Sequence, residues 1–355
     1  MIRAPLTHQQ QEPPSVIHPV RRQADYPWVD MSASTSTVPN HFLELLARLN
    51  PIVADGPMGT RLAELGLPAG DAPERWVLEP AGAAAVRAVH SAYREAGAQI
   101  LLTNTFGANP TRLALHGLAG HLDEINRTGA QLARLEAGSE AIVAGSMGPT
   151  GEFLAPLGTL LFAEAAEGFA RQAAALAAAG VDVLWVETMA DLEEARAAIE
   201  GARQGAPGLP VVVTLAFGTS GATLMGVRPP EAIAMLADLG VSAVGANCGT
   251  GTAEAEQALA LMHAVVPALP LVGKPNAGVP HLEHGVTVYP ETPANLAGAA
   301  GRMWAAGAAV VGVCCGGSSE HVRAIAATLP GHVVHEPRTS SAHSAAHNLG
   351  THAGP

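Results

Sequence analysis

Apolar and polar positions alternate along this chain in a regular beat. Short apolar, often β-branched runs occur at PIVADG, QILLTNTF, AIVAGSMG, DVLWVET, PVVVTLAF, SAVGANCG, PLVGKPNAG and AAVVGVCCGG. Each is followed by a stretch with helical spacing, such as AAVRAVHSAYREAGA, FAEAAEGFARQAAALAAAG or EHVRAIAATL. Near-continuous apolar runs of this length read as buried parallel strands, and the intervening segments read as amphipathic helices. Eight strand-then-helix units in some 280 residues predict an α/β fold, a single (β/α)8 barrel spanning residues 45–330. A doubly wound open sheet is the alternative; it would have fewer strands and a glycine-rich nucleotide turn after the first, whereas strand one here ends in DGPMGT. The polar residues keep one register: Asp55, Asn104, Thr105, Ser146, Glu187, Thr188, Asn247, Cys248, Lys274, Asn276, Cys314 and Cys315 all fall at the carboxyl ends of predicted strands. Barrel enzymes build their active sites on that face.

The ends break the beat. Residues 1–44 are rich in Gln, Pro, Ser and Thr without periodicity and read as a disordered leader, with Met31 an alternative start; residues 331–355 read as a disordered tail with irregular histidines. Charged residues make up only 14% of the chain against 48% hydrophobic, enough apolar material for a large core. The formal net charge of −12 excludes nucleic acid and an anionic membrane surface as natural partners, since both need clustered cations. A small-molecule partner is expected. No run has the length of a membrane span and the first residues lack the order of a secretory signal, so the expected compartment is cytoplasmic. Of 19 Lys plus Arg, Lys274 is the single lysine.

Three cysteines complete the chemistry: Cys248 in GANCGTG and the adjacent Cys314 and Cys315 in VVGVCCGGSSEH. Both groups sit where a strand opens into a glycine-rich loop. Thiolates converging from two strand ends suit a Zn2+ ion, and three protein ligands leave a fourth tetrahedral position for substrate. The alternative is three buried cysteines serving as small hydrophobes. A disulfide framework fits poorly, because the count is odd and vicinal cysteines bridge badly.

The motifs DGPMGT, TNTFGAN, GSMGPTG, VETMADLEEA, GANCGTG, KPNAGVP and GVCCGGSSEH, in this order, resemble the homocysteine S-methyltransferase family. The resemblance implies a zinc-dependent (β/α)8 barrel in which Cys248, Cys314 and Cys315 are the catalytic zinc ligands and the homocysteine sulfur takes the fourth position. It places Glu187 at the substrate ammonium, where the residue could otherwise simply face a helix N-terminus. It places Asp55 and Gly56 along the homocysteine pocket, although Pro57 stands where many members carry glycine. Thr105, Asn104 and Ser146 are candidate donors to the substrate carboxylate, or alternatively helix caps. A lone lysine at a strand end could instead form the Schiff base of an aldolase; that reading leaves the cysteines without a role, and Lys274 is expected to pair with a carboxylate.

Family members draw their methyl group from betaine, S-methylmethionine or a methylated cobalamin carried by other domains. This length leaves no room for cobalamin and folate domains, so a donor in solution is expected, betaine first, with S-methylmethionine or a separate corrinoid protein as alternatives. A quaternary ammonium is usually held in an aromatic cage. Trp76 and Phe106 are the candidate walls, and the cage looks incomplete where Gly107 and Thr188 replace tyrosines of the animal enzymes. A non-catalytic zinc-holding barrel is the remaining alternative.

Overall fold

The computed structural model describes residues 40–48, 51–284 and 286–332. Most of the segments expected as leader and tail, Met31 among them, lie outside the described residues. Eight parallel strands form one sheet: β1 (Ile52–Val53), β2 (Ile100–Leu102), β3 (Ile142–Met147), β4 (Val183–Met189), β5 (Val211–Leu215), β6 (Ala243–Cys248), β7 (Leu271–Pro275) and β10 (Ala308–Val311). A two-stranded antiparallel hairpin, β8 (His281–Glu283) with β9 (Val286–Val288), interrupts the alternation after β7. Each strand pairs with its sequence neighbour in order, and β10 lies between β7 and β1. Gln99 N donates to Val53 O (2.7 Å) and Asp55 N to Ile100 O (3.0 Å), with a parallel bridge at Ala54 and Ile100, which joins β2 back to β1 and closes the barrel.

Helices follow the strands as the periodicity predicts. The outer ring is α3 (Pro80–Glu95), α5 (Leu122–Ala137), α6 (Phe162–Ala178), α7 (Leu192–Gly205), α8 (Pro229–Asp238), α9 (Thr252–Val265), α10 (Pro293–Ala305) and α11 (Ser319–Thr328). Shorter pieces, α2 (Met58–Glu64), a 3-10 turn at Pro73–Leu78 and α4 (Pro110–Leu115), fill the loops after β1 and β2. Local chemistry marks the starts: Asp191, Asn109 and Thr292 side chains accept backbone N–H groups at the first turns of α7, α4 and α10, and proline opens several of the helices.

Strand residues divide between two cores by parity. Val53, Leu101, Val143, Leu184, Val186, Val213 and Val244 face the helices. Ile52, Ile100, Ile142, Val183, Trp185, Val212, Val272 and Val310 fill the barrel. A one-residue slip would exchange the two sets, so the register is strongly specified.

One expectation needs correcting. Within the stretch read as a leader, residues 40–44 belong to the barrel: Asn40 Oδ1 caps α1 (His41–Arg48), and Asn40 Nδ2 donates to Asp182 O just before β4. Phe42 is fully buried among the barrel-filling side chains. The stretch lacks strand periodicity because it forms a plug at the amino end of the strands.

Candidate active site

The inward row of each strand changes from apolar to polar as it reaches the carboxyl end. In β4 the sequence runs Val183, Trp185, Glu187; in β7, Val272 then Lys274; in β3, Ile142, Ala144, Ser146. Trp185 is the largest fully buried side chain. The Lys274 ammonium lies 5.8 Å from the Trp185 ring centroid and pairs with Asp55 at 2.8 Å, both side chains being almost completely buried. Asp55 Oδ2 also accepts Leu102 N at 2.7 Å. Above this ion pair opens a cavity of about 420 Å³ lined by Gly56, Glu187, Thr188, Cys248, Lys274, Cys314 and Cys315 at one end and by Glu74, Phe106, Gly107, Arg112 and His116 elsewhere.

Among the described residues, Cys248, Cys314 and Cys315 form one group whose sulfurs all lie within 4.8 Å of one another. Cys248 Sγ is 2.8 Å from Cys314 Sγ and 3.9 Å from Cys315 Sγ. Tetrahedral zinc with Zn–S bonds of about 2.3 Å sets its sulfurs about 3.8 Å apart. The Cys248–Cys315 spacing meets that value; the closer pair must open by about an ångström. Charge argues the same way. Hydrogen bonds from Cys248 and then Cys314 hold the Cys315 thiol down to about 3, while the Cys248 thiol is pushed well above its ordinary value by its bonds to Cys314 and Cys315. Ionising one thiol thus opposes ionising its neighbours, and a divalent cation is what lets three ionise together. The donor set fits a thiophilic metal.

The backbone that presents these sulfurs is unusual. Cys248 has φ +53° and Thr188, at the end of β4, has φ +62°; a β-branched residue there is an outlier. Asn247 holds Thr188 in place: its Oδ1 accepts Thr188 N at 2.8 Å and its Nδ2 donates to Thr188 Oγ1 at 2.7 Å. Gly249 follows at φ +68°, and a Cβ there would lie 2.2 Å from Phe217 O. The KPNAG segment braces the two cysteine groups, because Cys314 N donates to Pro275 O (2.7 Å), Ala277 N to Cys315 O (2.9 Å) and Asn276 N to Cys248 O (3.4 Å).

Glu187 lines the cavity and accepts Ser146 Oγ at 2.5 Å. Burial pushes its carboxyl up to about 7, with Lys274 opposing and the Cys314 charge adding to the rise. Burial alone would lower Lys274, but the carboxylates of Asp55 and Glu187 outweigh it and hold the ammonium above its ordinary range. A lysine kept protonated and ion-paired is not a Schiff-base nucleophile. The expected carboxylate partner is Asp55.

Other expected site residues divide. Gly56, Asn104, Ser146, Glu187 and Phe106 line the cavity, whereas Asp55, Thr105 and Trp76 do not. Asp55 supports the floor from beneath. Thr105 is fully buried, its hydroxyl shared with Thr103 (2.5 Å) and bonded to Ser146 O (2.8 Å). Trp76, in the 3-10 turn, packs against the outer core. Among the described residues, Phe106 is thus the one Phe, Tyr or Trp in the lining, and the two-walled cage does not assemble.

Sequence reasoning missed Tyr289. It follows β9, its ring lies over Gly316 so closely that a Cβ there would fall 2.0 Å from Cγ, and its phenol hydrogen-bonds Cys315. His321 secures the same segment by its Nε2 contact with Glu291 O at 3.0 Å. A tyrosine in an irregular loop carries no periodic signal; one of three in so long a chain was the available hint.

A closed parallel barrel with three thiols and a buried carboxylate at its carboxyl mouth defines a thiol-centred (β/α)8 barrel with the metal-binding potential of that class. The chain matches the family described as homocysteine S-methyltransferase over residues 52–329, and it belongs to that family. It is 34% identical over 331 residues to a methionine synthase of Mycobacterium leprae (strain TN), covering 85% of this chain and 27% of that protein. It is 33% identical to a methionine synthase of Mycobacterium tuberculosis (strain ATCC 25618 / H37Rv), covering 83% of this chain and 26% of that one. The chain therefore spans about a quarter of the length of these relatives. Among solved structures it is similar to the homocysteine methyltransferase MmuM of Escherichia coli. The oxidized form gives a TM-score of 0.68 at 26% identity, covering 82% of this chain and all of that one. The metallated form gives 0.65 at 27%, covering 81% and 99%. No described helix is long and apolar enough to cross a membrane.

Proposed function

We propose that this chain transfers a methyl group to the sulfur of homocysteine, forming methionine, with a zinc ion held by Cys248, Cys314 and Cys315. The observation that carries the reading is the convergence of three thiols from two strand ends beside a buried, cavity-facing carboxylate. Bound zinc would supply a Lewis acid that keeps an alkyl thiol ionised at neutral pH. An all-sulfur donor set favours thiol chemistry over the water activation served by harder ligands. Membership of the homocysteine S-methyltransferase family and the likeness to a homocysteine methyltransferase support the choice of acceptor.

The chain's own groups have distinct tasks. Glu187 receives the substrate ammonium in a charge-assisted hydrogen bond, with Ser146 orienting the carboxylate. The Lys274–Asp55 pair fixes the floor, and the Lys274 ammonium it holds favours the ionised form of Glu187. Apolar lining from Met58, Leu102, Leu113 and Val313 keeps water from the reacting atoms. In the transfer, the thiol proton passes to solvent, a sulfur–carbon bond forms to the methyl group, and the bond from that carbon to the donor heteroatom breaks with its electron pair going to the heteroatom. A thioether would be a weaker ligand than a thiolate for a metal held by the three cysteines, which favours release of the product. Betaine is the first donor to test, with S-methylmethionine and a methyl-corrinoid protein as alternatives.

The test is methionine formation by purified, zinc-loaded full chain with betaine, S-methylmethionine or methylcobalamin as sole donor. In Cys314→Ala, zinc and turnover are expected to be lost together, with activity down at least about 100-fold. Wild-type rates in that variant would overturn the mechanism, and zinc binding without turnover from any donor would leave a non-catalytic barrel.

A further inference from the structure

Strand parity is broken at the ends of β4 and β6, both beside the thiols. In β4, Val183 and Trp185 fill the barrel while Leu184 and Val186 face the helices, so Glu187 is due inward, Thr188 outward and Met189 inward. Instead Thr188 lines the cavity beside Glu187, and Met189 packs in the outer core. The pairing carries the same slip: β4 advances from Val186 to Met189 while β5 advances only from Val213 to Leu215. A bulge of this kind re-aims side chains, and it falls where Thr188 takes its left-handed backbone at φ +62°. In β6, Ala243 faces in and Val244 and Ala246 face out, so Cys248 is due outward; at φ +53° it lines the cavity. A β-branched residue in that conformation is strained, and such strain persists only where the surroundings impose it.

Asn247 imposes it on Thr188. The Thr188 backbone N–H donates to Asn247 Oδ1 at 2.8 Å, which fixes the other end of the amide, and Asn247 Nδ2 donates to Thr188 Oγ1 at 2.7 Å. With that lone pair engaged, the Thr188 hydroxyl is left to donate, and its acceptor is Cys248 Sγ at 3.9 Å. The same Nδ2 lies 4.0 Å from Cys314 Sγ. One amide thus addresses both sulfurs of the close pair, directly or through Thr188.

We propose that Thr188 is a positioning residue of the thiol centre: Asn247 holds its backbone left-handed, and its hydroxyl donates to the Cys248 sulfur, drawing charge off that ligand when a metal is bound. The inference rests on the reading that the three cysteines hold a metal. Three cysteine thiolates and an acceptor thiolate outweigh a divalent cation, so the centre is net negative, and hydrogen-bond donors to its sulfurs spread that charge. Valine would fill the same volume as threonine. The hydroxyl is what the strained backbone delivers.

The test is metal binding by the full chain, with Zn2+ affinity measured against a competing chelator and the sulfur-to-metal charge-transfer band recorded with Co2+. Thr188→Val should weaken Zn2+ by about tenfold or more and move the Co2+ band to lower energy, while Thr188→Ser stays within about threefold of wild type with the band unmoved. Thr188→Gly relieves the backbone strain, so the thermal midpoint of the metal-free protein should hold or rise while Zn2+ affinity falls as in Thr188→Val. A residue that only shapes the bulge would do the opposite, lowering the midpoint in Thr188→Gly with affinity and band unchanged. Wild-type affinity and spectrum in Thr188→Val overturn the proposal; should that variant not fold, equal affinities in Thr188→Gly and Thr188→Ser overturn it as well. Wild type that takes up neither metal removes the metal reading and this inference with it, so the wild-type arm reports on that reading and the variants on Thr188.

Discussion

Glu187 and Asp55 are both strand-end carboxylates, yet their surroundings separate their work. Glu187 faces the cavity and Asp55 is sealed beneath it against the one lysine. Glu187→Gln keeps the shape and the Ser146 contact but removes the charge. Homocysteine KM is expected to rise about 10- to 100-fold, the worth of a charge-assisted hydrogen bond, with one zinc per chain retained by elemental analysis. Asp55→Asn leaves Lys274 buried without its counter-ion. Denaturant titration should show a loss of about 3 kcal/mol or more, and adding Lys274→Met should return part of it, because removing both charges abolishes the desolvation cost.

At the scale of elements, the barrel presents its thiols through three connected loops. The segment after β7 joins Cys248 to Cys314 and Cys315 by backbone hydrogen bonds, then rises into the β8–β9 hairpin and returns to place Tyr289 on Gly316. Burial, and then the Cys315 thiolate beside it, pushes the Tyr289 phenol up to about 12, so it remains a hydrogen-bond donor. Partners of metal ligands fix ligand orientation. Tyr289→Phe preserves the ring on Gly316 and deletes the donor; zinc affinity measured with a competing chelator is expected to fall by about tenfold or more, with the thermal midpoint of the metal-free protein unchanged. An affinity equal to wild type would assign Tyr289 to packing alone.

The whole molecule is layered along the barrel axis: the Phe42 plug, aliphatic layers, Trp185, the Lys274–Asp55 pair, then the cavity. One buried group makes its stability depend on pH. His90, inside α3, is fully buried with neither ring nitrogen partnered, and burial lowers its pKa from 6.5 to about 4. Below 6.5 the unfolded chain takes up a proton that the native state refuses until about 4, so stability falls as pH drops through that window. His90→Leu removes this dependence: the stability lost between about pH 7.5 and about pH 5 should be roughly 2 kcal/mol smaller than in wild type, read from unfolding free energies at the two pH values.

The sequence by itself determined the barrel and the thiol centre. Parity and period write the two cores directly into the order of residues, as in Val183, Trp185 and Glu187, and a strand's carboxyl end is where its inward row must turn polar. Cys248 was legible because it ends β6, and Cys314 and Cys315 because they stand just past the carboxyl end of β10. Tertiary structure alone decided which polar residues reach the cavity. Asp55 and Thr105 carry the right chemistry at the right register but spend it on Lys274, Thr103 and Ser146, and Trp76 turns to the outer core. Tyr289 sits past β9 in a loop, where no period records direction, and its role arises from its approach to Gly316 and Cys315. The physical reason is that backbone periodicity fixes the face a side chain occupies, while its partner is fixed by packing.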